Sequence, residues 1–161
     1  MKEDIDDVKV GISHGDINGI GLEVIIKTFS DPRMMEICTP ILYSSPKIVS
    51  YHKKAVDAKQ FHYNKCNSPE EAHSKKLNLI NITDEHANIE LGQSTEDGGK
   101  FAKLSMEKAV SDLKEGKIDV LVTAPVDKNS LDMNDFGFPG QTEFLGNAFE
   151  VEENLMILVS D

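Results

Sequence analysis

At 161 residues, the chain has room for one domain and at most the beginning of a second. Apolar residues make up 39% of it and come in ordered blocks, which predicts a packed core rather than disorder. A net charge of −11, from 28 acidic against 17 basic residues, argues against nucleic acid or an anionic membrane as the main partner, so an anionic small molecule would have to be held by local groups.

Residues 8–12 read as a first strand. Leu22, Ile25, Ile26 and Phe29 then fall at i, i+3, i+4, i+7, one face of a helix that Asp31-Pro32 ends. Residues 40–43 form a second strand, and a helix follows from Pro46, a residue suited to a first turn. Residues 61–68 read either as an edge strand or as a loop, and residues 77–82 as a further strand. Over residues 100–115, Ala102, Met106, Ala109, Val110 and Leu113 make a stripe at helical spacing, closed by Gly116. The β-branched run 118–122 reads as a buried strand that leaves the sheet through Thr123-Ala124-Pro125, and residues 155–159 read as another. Strands alternating with helices predict an α/β fold with a mainly parallel sheet. Because the chain stops directly after a strand, it is expected to be the N-terminal part of a longer polypeptide.

Two cysteines, Cys38 and Cys66, are too few for a disulfide framework and too far apart for a CxxC site, which suits a cytoplasmic location. No apolar run reaches the roughly 18 residues that span a bilayer, and the opening stretch MKEDIDDVK is too charged for a signal peptide.

In an open α/β sheet, ligands bind beyond the carboxyl ends of the strands, and three polar clusters fall there. SHGDINGIG, residues 13–21, joins the first strand to its helix, with glycines that permit close approach and Asp16 able to cap N–H groups. TAPVDKNS, residues 123–130, carries Lys128 as a positive donor, and FPGQTEFLGN, residues 138–147, carries Gln141, Thr142 and Glu143. Each also has a plain structural reading: a tight turn with a capped helix, a solvated lysine, and a threonine N-cap. The glycines at 15, 19 and 21 fit neither GxGxxG nor GxxxxGK(S/T), which disfavours a nucleoside triphosphatase. His14 reads as a loop histidine without a second ligand nearby, and His52, His62, His73 and His86 as surface residues.

In this order, GDINGIG, GGKFAKLSMEKAV, IDVLVTAPVDK and FPGQTEFL resemble the 4-hydroxythreonine-4-phosphate dehydrogenase family over nearly the whole chain. The resemblance implies a three-layer α/β/α fold like that of isocitrate and isopropylmalate dehydrogenases, a homodimer, and an active site between two domains. It implies NAD- or NADP-dependent oxidation of 4-phosphooxy-L-threonine, with decarboxylation to 3-amino-2-oxopropyl phosphate, assisted by a divalent metal such as zinc, magnesium or cobalt. The family's Gly-His-Thr-Glu motif places Gln141 and Thr142 at substrate-contacting positions, Gln141 replacing a histidine; glutamine can hydrogen-bond but cannot transfer a proton near neutral pH. Ile17 also departs from the pattern, which has proline there. The family's three metal-binding histidines fall in sequence after residue 161, so no metal ligand and no catalytic residue is assigned within this chain. The expected substrate-contacting set is Gln141, Thr142, Lys128 and Asp16, the last organising the glycine turn. Alternatives are a dehydrogenase for 4-phosphorylated threonate or erythronate, and a non-catalytic α/β fragment.

Overall fold

The computed structural model describes residues 8–160, so most of the charged opening stretch, residues 1–7, and Asp161 lie outside the described residues. Five strands form one sheet in which every pairing is parallel: β1 (Lys9–Ser13), β2 (Thr39–Ser44), β3 (Asn64–Cys66), β4 (Asn78–Asn81) and β5 (Val120–Thr123), in the order β3-β4-β2-β1-β5. The ambiguous stretch 61–68 therefore contains a three-residue edge strand.

Pleating sends alternate side chains to opposite faces, and each face has its own cover. Ile12, Leu42 and Leu79 pack with Leu22, Ile25 and Ile26 of α1 (Gly21–Phe29) and Ile48 and Val49 of α2 (Pro46–Ala55). Ile41, Tyr43 and Ile80 pack on the other side with Ala109 of α3 (Glu96–Lys114). The result is the expected three-layer α/β/α arrangement. Ser45 caps α2 by accepting from the Lys47 N–H, with Pro46 in its first turn, and the Asp31 side chain caps a 3₁₀ turn, Pro32–Glu36, after α1.

The long helix begins four residues earlier than its apolar stripe suggests, because Thr95 caps it by accepting from the Gly98 N–H and Glu96 and Asp97 favour its first turn. At its other end Gly116 adopts φ of 69°, as a helix C-cap glycine does. A third cluster lies beyond α3, where Ala102, Met106 and Val110 meet Leu131 of α4 (Lys128–Asp132) and Phe144 and Leu145 of α5 (Gln141–Ala148).

Several expectations are corrected. The run around residues 118–122 is not buried on both faces: β5 is an edge strand, with Val120 41% and Val122 49% exposed. Residues 155–159 form no strand, and Leu155, Ile157 and Leu158 are 84%, 71% and 93% exposed; the run has the composition of a strand but no ladder partner among the described residues. His52 is buried, because it lies on the inner face of α2 and its Nε2 pairs with the Ile17 carbonyl at 2.8 Å. His14 belongs to a loop yet is also fully buried, since that loop is packed beneath α2 and α3 rather than on the surface.

Candidate functional site

The chain crosses the sheet in two directions from β1. β1 leads through α1 to β2 on one side, whereas β4 leads through α3, on the opposite face, to β5 on the other. At such a reversal in an open α/β sheet, ligands bind beyond the carboxyl ends of the strands. The β1–α1 turn and the β5–α4 loop lie here.

These two loops are joined backbone to backbone. Ala124 N–H donates to Ser13 O at 3.1 Å and Asp16 N–H to Pro125 O at 3.0 Å. Gly15, at φ of 73°, allows this approach: a Cβ there would sit 2.2 Å from Pro125 O. Gly21 is closed in the same way, with His14 O at 2.7 Å from a would-be Cβ. Gly15 and Gly21 thus admit the protein's own backbone, not a pyrophosphate.

Asp16 sits at the centre, 4% exposed. One carboxylate oxygen accepts from the Asn18 N–H at 2.7 Å and the other lies 3.3 Å from the Ser130 hydroxyl, which is itself 2.8 Å from Asp127. Burial pushes the Asp16 carboxyl above the usual range, opposed by the Asn18 N–H. Asp127, at the N-cap of α4, is held low by hydrogen bonds from the Ser94 and Ser130 hydroxyls. Thr95 N–H reaches Ser130 Oγ at 3.1 Å, so the start of α3 is tied to the same knot.

Asn18 is the residue that sequence reasoning passed over. Its side chain accepts from Glu90 N–H at 2.7 Å and donates to Thr95 Oγ1 at 2.8 Å and Gln93 O at 3.2 Å, pinning the loop before α3 to the glycine turn. Asp127 and Ser130 were missed too, although an aspartate three residues before a serine is a readable N-cap signal.

Gln141 Nε2 donates to Ala124 O at 3.1 Å, which docks the start of α5 against the β5–α4 loop. Behind it, Phe144 stacks on Phe136 at 5.3 Å and meets Phe138 edge-on at 5.6 Å. Gly140, not Thr142, is the N-cap of α5, and no side chain caps that end. Lys128 opens α4 and is exposed; a Cβ on Gly140 would lie 4.0 Å from its Cε, so its side chain runs past the α5 N-terminus. Thr142 is exposed in the first turn of α5. The structure therefore brings Asp16, Lys128, Gln141 and Thr142 to one edge of the sheet, Asp16 as an internal brace and the other three around the α5 entrance. Among the described residues, no group of three His, Cys, Asp or Glu side chains could hold a metal ion.

The chain is similar to known proteins over most of its length. The chain is 44% identical over 158 residues to a Bacteroides thetaiotaomicron protein named 4-hydroxythreonine-4-phosphate dehydrogenase, covering 96% of this chain and 42% of that protein. It is 30% identical over 152 residues to a Clostridium botulinum protein with the provisional name D-threonate 4-phosphate dehydrogenase, covering 91% of this chain and 44% of that one. A crystal structure of a 4-hydroxythreonine-4-phosphate dehydrogenase from Burkholderia phymatum superposes with a TM-score of 0.82 at 26% identity, over 91% of this chain and 45% of that chain. The chain thus spans less than half the length of these relatives. The family described as pyridoxal phosphate biosynthetic protein PdxA matches residues 36–161, and this chain, with its parallel sheet and its knot of loops at the β1/β5 reversal, belongs to that family.

Proposed function

We propose that the chain forms one wall of the substrate cleft of a dehydrogenase that oxidises the secondary alcohol of 4-phosphooxy-L-threonine to a β-keto acid, which loses carbon dioxide to give 3-amino-2-oxopropyl phosphate. The observation that carries this reading is the α5 entrance, an uncapped helix N-terminus beside the Lys128 side chain. Unpaired N–H groups and an ammonium together suit a phosphate or carboxylate. Glu143 folds back over Gly140, 3.3 Å from a would-be Cβ there, so an incoming anion displaces that carboxylate.

The roles of the individual side chains follow from what each has free. Thr142, exposed at the second position of α5, offers a hydroxyl to the substrate. Gln141 has an N–H committed to Ala124 O, so it presents its carbonyl oxygen and accepts a hydrogen bond from a substrate amino or hydroxyl group. Asp16 holds the glycine turn and has no contact role with a substrate phosphate, whose charge it would repel.

NAD or NADP, when bound, accepts the hydride leaving the alcohol carbon. Gly15 and Gly21 of the glycine turn are closed by the protein's own backbone, so this turn is assigned no dinucleotide role. The described residues do not fit a divalent metal either. In this reading, residues 1–161 are the N-terminal α/β region, with the end of the chain entering a second domain, and a cytoplasmic homodimer completes the cleft.

The test uses full-length protein and steady-state rates. Thr142→Ala is expected to lower kcat/KM for 4-phosphooxy-L-threonine by roughly 10- to 100-fold, the loss of a hydrogen bond to a charged group. The second reading, supported by the Clostridium botulinum relative, is oxidation of 4-phosphothreonate, in which the amino group is a hydroxyl that Gln141 can equally accept from. A marked preference for phosphothreonate in the wild type, reversed in Gln141→His, overturns the first reading. Absence of turnover with either substrate overturns both and leaves the non-catalytic module.

A further inference from the structure

A cavity of about 530 Å³ opens at the amino edge of the sheet, the opposite edge from the β1–α1 and β5–α4 loops. It lies between the end of α1, the connection into β2, and the segments leading into β3 and β4. Its size suits a small organic ligand. Phe29, Met35, Tyr63 and Leu77 supply apolar surface, and Lys75 and Lys76 stand at its wall with His62 beside them. Among its described lining residues there is no carboxylate, in a chain whose acidic residues outnumber basic ones 28 to 17.

The wall is built rather than incidental. Lys75 adopts φ of 64°, a left-handed backbone that costs a lysine free energy and persists only where its surroundings hold it. What holds it is Asn78, fully buried at the start of β4. The Asn78 amide nitrogen lies 3.0 Å from His73 O and 2.9 Å from Lys76 O, with Pro40 O at 3.2 Å, and its oxygen accepts from His73 N–H at 2.8 Å and from Asn64 Nδ2 at 3.0 Å. The two lysines therefore leave a braced turn. The Tyr63 hydroxyl, whose pKa burial raises further above neutrality, is a donor at neutral pH.

We propose that this cavity is a small-molecule site for an aromatic phosphomonoester, the ring lying on Phe29, Met35 and Tyr63 and the phosphate between Lys75 and Lys76. Two ammonium groups complement a charge near −2, and the apolar floor accounts for a ring rather than a bare anion. The phosphate gains charge-assisted hydrogen bonds from a lining that holds no carboxylate, the neighbouring Asp31 being paired with Arg33.

Titration calorimetry on the 161-residue chain tests this with 1-naphthyl phosphate, with 1-naphthol and inorganic phosphate as the ring-only and anion-only arms. Saturable binding of 1-naphthyl phosphate is expected, at least tenfold tighter than either arm. The double variant Lys75→Ala/Lys76→Ala, in exposed positions, should weaken it at least tenfold while leaving thermal unfolding unchanged, and Phe29→Leu should weaken it by removing the ring while leaving an apolar side chain. Lys128→Ala, at the other edge, should leave it unaltered. Lack of saturable binding, equal binding of inorganic phosphate, or indifference to the double lysine variant overturns the proposal. A loss confined to Lys128→Ala overturns it as well, and instead supports the anion role given to the α5 entrance.

Discussion

At the residue scale, His14 shows how a fold constrains ionisation. Its Nδ1 pairs with Gly15 O at 2.8 Å while Nε2 has no partner, so only the neutral imidazole is tolerated. Burial, opposed by the hydrogen bond to Gly15 and reinforced by nearby His52, brings its pKa down to about 4. The unfolded chain binds this proton near pH 6.5 and the folded chain only near pH 4, so stability is fully present above about pH 6.5 and is lost as pH falls towards 4. The total is about 3 kcal/mol. Urea unfolding of His14→Met should show a shallower decline between pH 7 and pH 4.5 than the wild type; an unchanged slope would refute the assignment. Some slope will persist, because burial lowers the His52 pKa as well. His14 could not be recognised as buried from sequence, since polar neighbours surround it, whereas His52 shares a helix face with Ile48 and Val49, four and three residues before it, a signal that could have been read. For Gln141 the sequence indicated the position, but only the structure showed that its amide is already used on Ala124.

At the scale of elements, the contact between α3 and α4 depends on a missing side chain. A Cβ on Gly99 would lie 1.8 Å from Ser130 O and 2.6 Å from Asn134 Nδ2. Gly99→Ala would favour the isolated helix by about 1 kcal/mol. The clash outweighs that, and a net loss of about 2 kcal/mol is expected by overpacking, with α4 displaced from α3. Gly116→Ala meets nothing within 4 Å, and its cost is only that of a left-handed alanine, about 1 kcal/mol. Chemical denaturation of both variants checks the order; a Gly116→Ala loss exceeding that of Gly99→Ala contradicts it. The apolar stripe of α3 was legible because its spacing is local. The early start at Thr95 was hidden behind two glycines, which ordinarily speak against a helix.

At the scale of the whole molecule, the sheet is covered on both faces except over β5, where Val120 and Val122 are exposed, and the apolar run 155–159 is exposed as well. An open edge strand and an exposed apolar segment each promote association. The 161-residue chain is expected to sediment as concentration-dependent oligomers, and Val122→Lys with Leu158→Lys to shift it towards monomer; a wild-type chain monomeric at all concentrations would exclude this. Strands β1, β2, β4 and β5, helices α1 to α3, the α/β class and the family motifs were determined by the sequence itself, because hydrophobic period and turn chemistry act over a few residues. Which strand lies at an edge, that His14 is buried, and that residues 13–21, 123–130 and 138–147 come together at one edge of the sheet were decided only by the tertiary structure. These depend on strand order and on hydrogen bonds such as Asp16 to Ser130 that span more than a hundred residues of chain, beyond the reach of any local pattern.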